Sequence, residues 1–335
     1  MSNKRNLIIV AFLLFSLVII SCSDEESKNS NTPEPISNSE LPISTATAEP
    51  TATAEPTKVP AITIIDAIGN AVIFESPPSQ IATISPTTTE LLYAAGGSSI
   101  LRDRASRYPE QVNALPDVGS AYNPSIEAIV SANPDLVIIE ALTQARFAPV
   151  LIRAGLRVIA VKVETIDDLK KNIIDLGNIT GNETIAKSKV LEIENRLAQT
   201  KNTDGRSVLI LISDQERNLY AATSKSYTGL IAKTAGMINS ASDLPDSGPY
   251  PGFSLISTES ILRANPDVII TISPAPEPAP RLSETITRIP PFAALKAMQT
   301  NSIFEGDVAL FLQAPGPRII EAVEFLNTKL KAQGK

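Results

Sequence analysis

Whatever chemistry this chain performs, it performs without histidine or tryptophan and with one cysteine, Cys22. A Ser-His-Asp triad, an H-E-x-x-H zinc helix and a disulfide within the chain are therefore excluded. So is the usual histidine ligation of haem, zinc or manganese. No serine has a lysine three residues on, and neither G-x-S-x-G nor G-x-x-x-x-G-K-[ST] occurs, which removes a Ser–Lys hydrolase, a nucleophile elbow and a phosphate loop. What remains suits binding better than catalysis. Tyr108, Tyr122, Tyr220, Tyr227 and Tyr250, with Phe253, supply faces for stacking and phenols able to ligate ferric iron. Arg102, Arg104 and Arg107 crowd against Tyr108, while Arg146, Arg281 and Arg318 are spread along the chain. We expect no catalytic residue, no resident cofactor and no bound metal of the protein's own. The net charge of −7 leaves no basic stripe, which argues against a nucleic-acid partner.

The N-terminal 60 residues cannot position such groups. Lys4 and Arg5 precede a 14-residue apolar run, Leu7 to Ile20, broken only by Ser16. That run is shorter than the ~17–25 residues of a spanning helix and reads as the core of a signal peptide over 1–21. Ile19-Ile20-Ser21-Cys22 resembles the lipobox of bacterial lipoproteins, which implies cleavage before Cys22 and lipidation of its sulfur. Residues 23–60 hold six Pro, six Ser and six Thr, with Thr-Ala-Thr-Ala-Glu-Pro in tandem at 45–50 and 51–56. A segment this poor in large apolar residues cannot offset its ordering entropy, so 22–60 is expected to be a disordered tether.

From Ala61 the texture becomes short β-rich runs alternating with helical patterns. Ile62–Ile65 and Val72–Phe74 flank a turn and predict a hairpin. Ile81–Ile84 predicts a strand leading into a helix, with Pro86 at its first position and Thr87-x-x-Glu90 as a capping box. The most informative feature is a repeat: SIEAIVSANPDLVII at 125–139 and STESILRANPDVIIT at 257–271 match at eight of fifteen positions without a gap. Each copy reads as a short helix ended by Asn-Pro-Asp and followed by a buried strand. The offset of 132 residues is too long for a solenoid, so the chain is expected to hold two similar lobes, 61–163 and 206–335. Between them, 164–205 is helical. Ala186, Val190, Ile193 and Leu197 fall on one stripe after Asn182 and predict a helix of about 20 residues, ~30 Å long, able to cross between lobes.

At this point the motifs resemble a family. Ile81-Ala-Thr-Ile-Ser-Pro86-x-x-Thr-Glu90-Leu, Arg107-Tyr108-Pro109, Val118-Gly119 and the two repeats, with Gly316-Pro-Arg318 near the C-terminus, are similar to the iron-siderophore and cobalamin substrate-binding proteins of ABC importers. The resemblance covers nearly all of 61–335. It implies an α/β fold of two Rossmann-like lobes with mostly parallel sheets, joined by one long backbone helix, with ligand held between the lobes. Parallel sheets place ligands at the carboxyl ends of strands. The loops after Ile84 and Leu101, before Pro124, after Ile212 and before Ser257 are therefore expected to line the cleft.

The candidate ligand-binding residues are then Arg107, Tyr108, Tyr122, Tyr220, Tyr227, Tyr250, Phe253, Arg281 and Arg318. Glu127 and Glu259 recur in the first turn of each repeat helix. In the family a glutamate at this place on each lobe engages arginines of the permease, so both are candidate docking residues, although an acid there also suits the helix dipole. Six residues before each glutamate stand Ala121 and Phe253, where cobalamin binders of the family carry large aromatics. Ala121 departs from that pattern, and the arginines favour an anionic ferric chelate. The expectation is an extracytoplasmic, lipid-anchored, monomeric receptor that delivers such a chelate to an ABC permease. The alternatives are a cobalamin receptor, or a surface sensor or adhesin on the same fold.

Overall fold

The computed structural model describes residues 61–200, 205–276 and 278–333; the signal, Cys22 and the tether lie outside them. The chain enters through an antiparallel hairpin, β1 (Ile62–Ile65) and β2 (Ala71–Phe74), which turns Ile64 and Phe74 inward. The Asp66 carboxylate closes its turn by accepting from the N–H groups of Ile68 and Asn70, and moors it to lobe one by accepting from Ala160 N–H.

Lobe one follows with β3 (Ile81–Thr83), α1 (Pro86–Ala94), the short pair β4 (Gly119–Ser120) and β5 (Asn123–Pro124), α2 (Ile126–Ser131), β6 (Leu136–Glu140), α3 (Ala141–Gln144), α4 (Ala148–Arg153) and β7 (Val158–Val161). Strands β3, β6 and β7 are parallel in the order β3-β6-β7. Their side chains are almost all buried on both faces, as a parallel sheet covered on two sides requires. The cap of α1 differs from the expected one. Ser85, not Thr87, accepts from the Thr88 N–H, and Thr88 answers it, so the capping box is Ser85 with Thr88. Glu90 is thereby released for another role.

The linker holds two helices that meet at Gly181, and the second is the expected crossing helix. α5 (Ile166–Thr180) starts at a Thr165–Asp168 capping box and stops at Gly181, whose φ of 74° is left-handed. It buries Leu169, Ile173, Leu176 and Ile179 with lobe one. α6 (Glu183–Thr200) turns back along it, 18 residues or roughly 27 Å. It is this helix that carries the chain to lobe two.

Lobe two comprises β8 (Ser207–Ser213), β9 (Leu219–Ala222), α7 (Tyr227–Thr234), β10 (Ile238–Asn239), β11 (Phe253–Leu255), α8 (Thr258–Ala264), β12 (Val268–Ile272), α9 (Leu282–Ile286), α10 (Lys296–Gln299), β13 (Ile303–Glu305), a π-helical turn at Ala309–Gln313 and α11 (Ile319–Gln333). Strands β8-β12-β13 are parallel in the order of β3-β6-β7 in lobe one, β10 pairs parallel with the start of β8, and β9 and β11 add an antiparallel flank. The duplication thus extends from sequence to topology.

It extends to single side chains as well. Asn133 and Asn265 end their repeat helices with φ of 47° and 38°, a conformation asparagine tolerates better than most residues. Two residues on, Asp135 accepts from Ser79 N–H and Oγ, and Asp267 accepts from Ser207 N–H and Oγ. In each lobe, then, the repeat aspartate pins the approach to the neighbouring strand. Burial pushes Asp267 up, but Lys296 and the Ser207 donors outweigh it and hold the carboxyl at about 2.

One hydrophobic cluster takes in Leu91 and Ile138 of lobe one, Ile173 of α5, Ile193 of α6, and Ile210 and Val323 of lobe two. Across its rim Arg196 of α6 grips Glu324 of α11 through two bonds of 3.0 and 2.7 Å. The described residues all belong to one compact unit.

Candidate functional site

Lobe one presents the cleft through the start of α1, the loop after Leu101 and the turn between β4 and β5. The loop after Leu101 is braced from within. Arg102 Nη1 donates to the carbonyls of Asp103 and Ser106, at 3.0 and 3.3 Å. Asp103, wholly buried, accepts from the N–H groups of Ala105 and Ser106 and from Ser106 Oγ. Burial raises the Asp103 carboxyl, and those hydrogen bonds pull it back. The brace delivers Arg104, Arg107 and Tyr108 to the cleft. Arg104 also pairs with Asp117 at 3.4 Å on the solvent side.

Next, the turn between β4 and β5 carries Ala121 and Tyr122. Buried Gln144 donates to the carbonyls of Ile84 and Ala121, at 2.6 and 2.9 Å, and Arg146 donates to the Tyr122 carbonyl. Arg146, itself exposed and outside the cleft lining, therefore supports the Tyr122 backbone. Lobe two contributes the π-helical turn, with Gln313 and Ala314, and then Arg318 just before α11.

These residues enclose a cleft of about 570 Å³ between the lobes. At its floor Arg318 and Glu90 meet from opposite lobes. Nε donates to Oε2 at 2.9 Å and Nη2 to Oε1, a bidentate pair whose side chains are 14% and 2% exposed. The guanidinium also stands over the Tyr108 ring, 4.5 Å from its centroid. Burial pushes the Glu90 carboxyl up to about 7, against the downward pull of Arg318. Just below, burial and the Glu90 charge raise the Tyr227 hydroxyl.

Of the residues expected at the ligand, the cleft gathers Arg107, Tyr108, Tyr122 and Arg318. Others are placed elsewhere. Tyr220 and Phe253 do not sit in loops: they lie in β9 and β11, two antiparallel strands paired Phe253 to Ala222 and Leu255 to Tyr220. They are 5% and 6% exposed, inside the core of lobe two. Tyr250 packs edge-on against Tyr220 with centroids 5.0 Å apart, and the Tyr220 hydroxyl donates to Asp214 at 3.0 Å. Tyr227 opens α7 with its hydroxyl below the cleft floor. Arg281 precedes α9 and donates to the Ala275 carbonyl, away from the cleft lining. Conversely, sequence reasoning assigned Glu90 to a helix cap. The signal available was that it is an acid in a helix start otherwise made of Thr and Leu.

Glu127 and Glu259 fall where the repeat puts them, at the second residue of α2 and of α8, both exposed. Ser125 and Ser257 cap the two helices alike, each accepting an N–H at 3.2 Å. The backbone N–H of Glu259 and the Ser257 hydroxyl hold the Glu259 carboxyl below its ordinary value.

Comparison with known proteins agrees with this architecture. An uncharacterized ABC transporter substrate-binding lipoprotein of Bacillus subtilis is 24% identical over 278 residues, covering 79% of this chain and 84% of that protein. A vitamin B12-binding protein of Vibrio cholerae is 25% identical, covering 77% and 91%. Among solved structures, the apo periplasmic heme-binding protein of Roseiflexus sp. RS-1 superposes with a TM-score of 0.66 at 22% identity, over 78% of this chain and all of that one. The family model described as periplasmic binding protein matches residues 81–310. That match exceeds half of the chain and reaches from β3 of lobe one into the π-helical turn of lobe two, and the chain accordingly belongs to the periplasmic binding protein family.

Proposed function

We propose that this protein captures an anionic ferric chelate between its lobes and delivers it to an ABC permease, working outside the cytoplasmic membrane on a lipid anchor at Cys22. The observation that carries the ligand class is the lining of the cleft. Three arginines, Arg104, Arg107 and Arg318, converge there with Tyr108 and Tyr122 around a single carboxylate, Glu90, which is already committed to Arg318. Arginine suits planar oxygen anions, and phenol rings stack on conjugated chelates. Glu127 and Glu259, repeated on the two lobes, are the proposed contacts to the permease.

A cobalamin ligand is the second reading, favoured by the vitamin B12-binding relative. Against it stand Ala121, which presents only a methyl to the cleft, and Phe253, which is packed in lobe two. The test is a thermal-shift screen of the chain from Thr57 onward against anionic and neutral ferric chelates, cobalamin and haem. At a hundredfold excess over Kd a ligand stabilises the fold by about 2.7 kcal/mol. A shift with an anionic ferric chelate supports the proposal, a shift with cobalamin or haem alone replaces the ligand, and no shift with any of them rejects it.

A further inference from the structure

We propose that Glu90 is a positioning residue for ligand binding: from lobe one it holds Arg318 of lobe two so that the free edge of the guanidinium meets an anionic group of the ligand. This rests on the reading of the cleft as an anion receptor. The geometry of Arg318 points to it. Two of its five N–H groups are spent on Glu90, one face is stacked on Tyr108, and among the described residues Nη1 meets no hydrogen-bond acceptor. That edge belongs to a side chain lining the cleft. A guanidinium held on its other sides offers its remaining donors to a planar oxygen anion.

Glu90 is suited to the holding role because it is buried in a packed helix. It is 2% exposed, on a helix whose neighbouring residues Thr87, Thr88, Thr89, Leu91 and Leu92 are buried. Arg318, by contrast, precedes α11 at the end of the loop through Gly316, and without Glu90 only the Tyr108 face would define it. Because the two partners come from different lobes, their bond also fixes the spacing of the cleft floor. Glu90 is thus a residue of the binding site that contacts no ligand itself.

The sign of the expected effect separates this from simple charge. Removing a carboxylate from an anion site strengthens binding if Coulomb attraction alone decides; removing the residue that orients Arg318 weakens it. The probes are the ferric complexes of a tripodal tris-catechol, a trianion, and of a tripodal tris-hydroxamate, which is neutral. In titrations of the chain from Thr57 onward, Glu90→Ala and Arg318→Ala should each weaken the trianion tenfold or more and the neutral complex less than threefold. The double variant should be no weaker than Arg318→Ala alone. If Glu90→Ala does not fold, Glu90→Gln, which keeps the shape and one acceptor, replaces it with a smaller loss of the same pattern. Tighter trianion binding by the Glu90 variant, equal losses for both probes, or additive losses in the double variant would overturn the positioning role alone. A wild-type protein that binds neither complex overturns the ferric-chelate reading and this proposal together.

Discussion

Glu90 and Arg318 show what a buried ion pair does at the scale of a residue. Taking both charges out of water costs several kcal/mol per ion, and only the bidentate geometry offsets it. The consequence is visible in the acid, whose carboxyl rises to about 7 despite a guanidinium in contact. Between its ordinary value of 4.5 and about 7 the folded protein binds this proton more tightly than the unfolded chain does. Stability must therefore fall as pH rises through that window. Relative to Glu90→Gln, which cannot titrate, the wild type should lose on the order of 3 kcal/mol between pH 4.5 and 7.5 and no more above it. Urea unfolding of both proteins at a series of pH values reads this directly, and parallel curves would show that burial does not raise the carboxyl. In the sequence Glu90 was legible as a capping-box acid and as part of a family-like motif, but not as the partner of Arg318, which stands 228 positions away.

At the scale of elements, the α5–α6 hairpin decides how the lobes are joined. Gly177 of α5 faces Ala186 of α6 so closely that a Cβ on Gly177 would stand 2.3 Å from the alanine Cβ. No flexible side chain is there to give way. Gly177→Leu should thus force α5 off α6 and cost at least ~2–3 kcal/mol, checked by chemical denaturation against Gly155→Leu. Gly155 has open space around its missing Cβ, but its φ of 86° makes that control carry only backbone strain. Equal losses would refute the packing argument. The apolar stripe of α6 could be read from its 3.6 period, as could the stop at Gly181. The packing of α5 back onto it could not, since the sequence signals that a helix ends and not which way the next one turns.

For the whole molecule, the duplication gives two similar lobes each bearing an exposed glutamate on the same turn of the same helix. If both dock to a permease, as proposed, two matched carboxylates on one body would engage two sites at once and gain effective concentration rather than contact energy. Reversing both, Glu127→Lys with Glu259→Lys, should leave ligand affinity unchanged within about twofold and abolish uptake in cells that depend on this receptor; each single reversal should fall between. Undiminished uptake by the double variant would remove the docking assignment. Neither residue lines the cleft, so a change in ligand affinity would likewise count against it. The Arg196–Glu324 clamp and the shared core through α6 hold the two lobes as one body.

Local and repeated patterns were determined by the sequence alone: the hairpin, the two similar lobes implied by two matching helix–strand units, the crossing helix, and the adjacency of Arg107 and Tyr108. Each depends on neighbours within a few residues or on self-similarity, and both are visible in one dimension. Only the tertiary structure decided which aromatics line the cleft. Tyr220 and Phe253 entered the core because β9 and β11 pair antiparallel, and strand pairing is a long-range choice. It also decided that Glu90 and Arg318 meet. Two residues in different lobes become neighbours when a shared core sets the lobe spacing, and no local pattern encodes that distance.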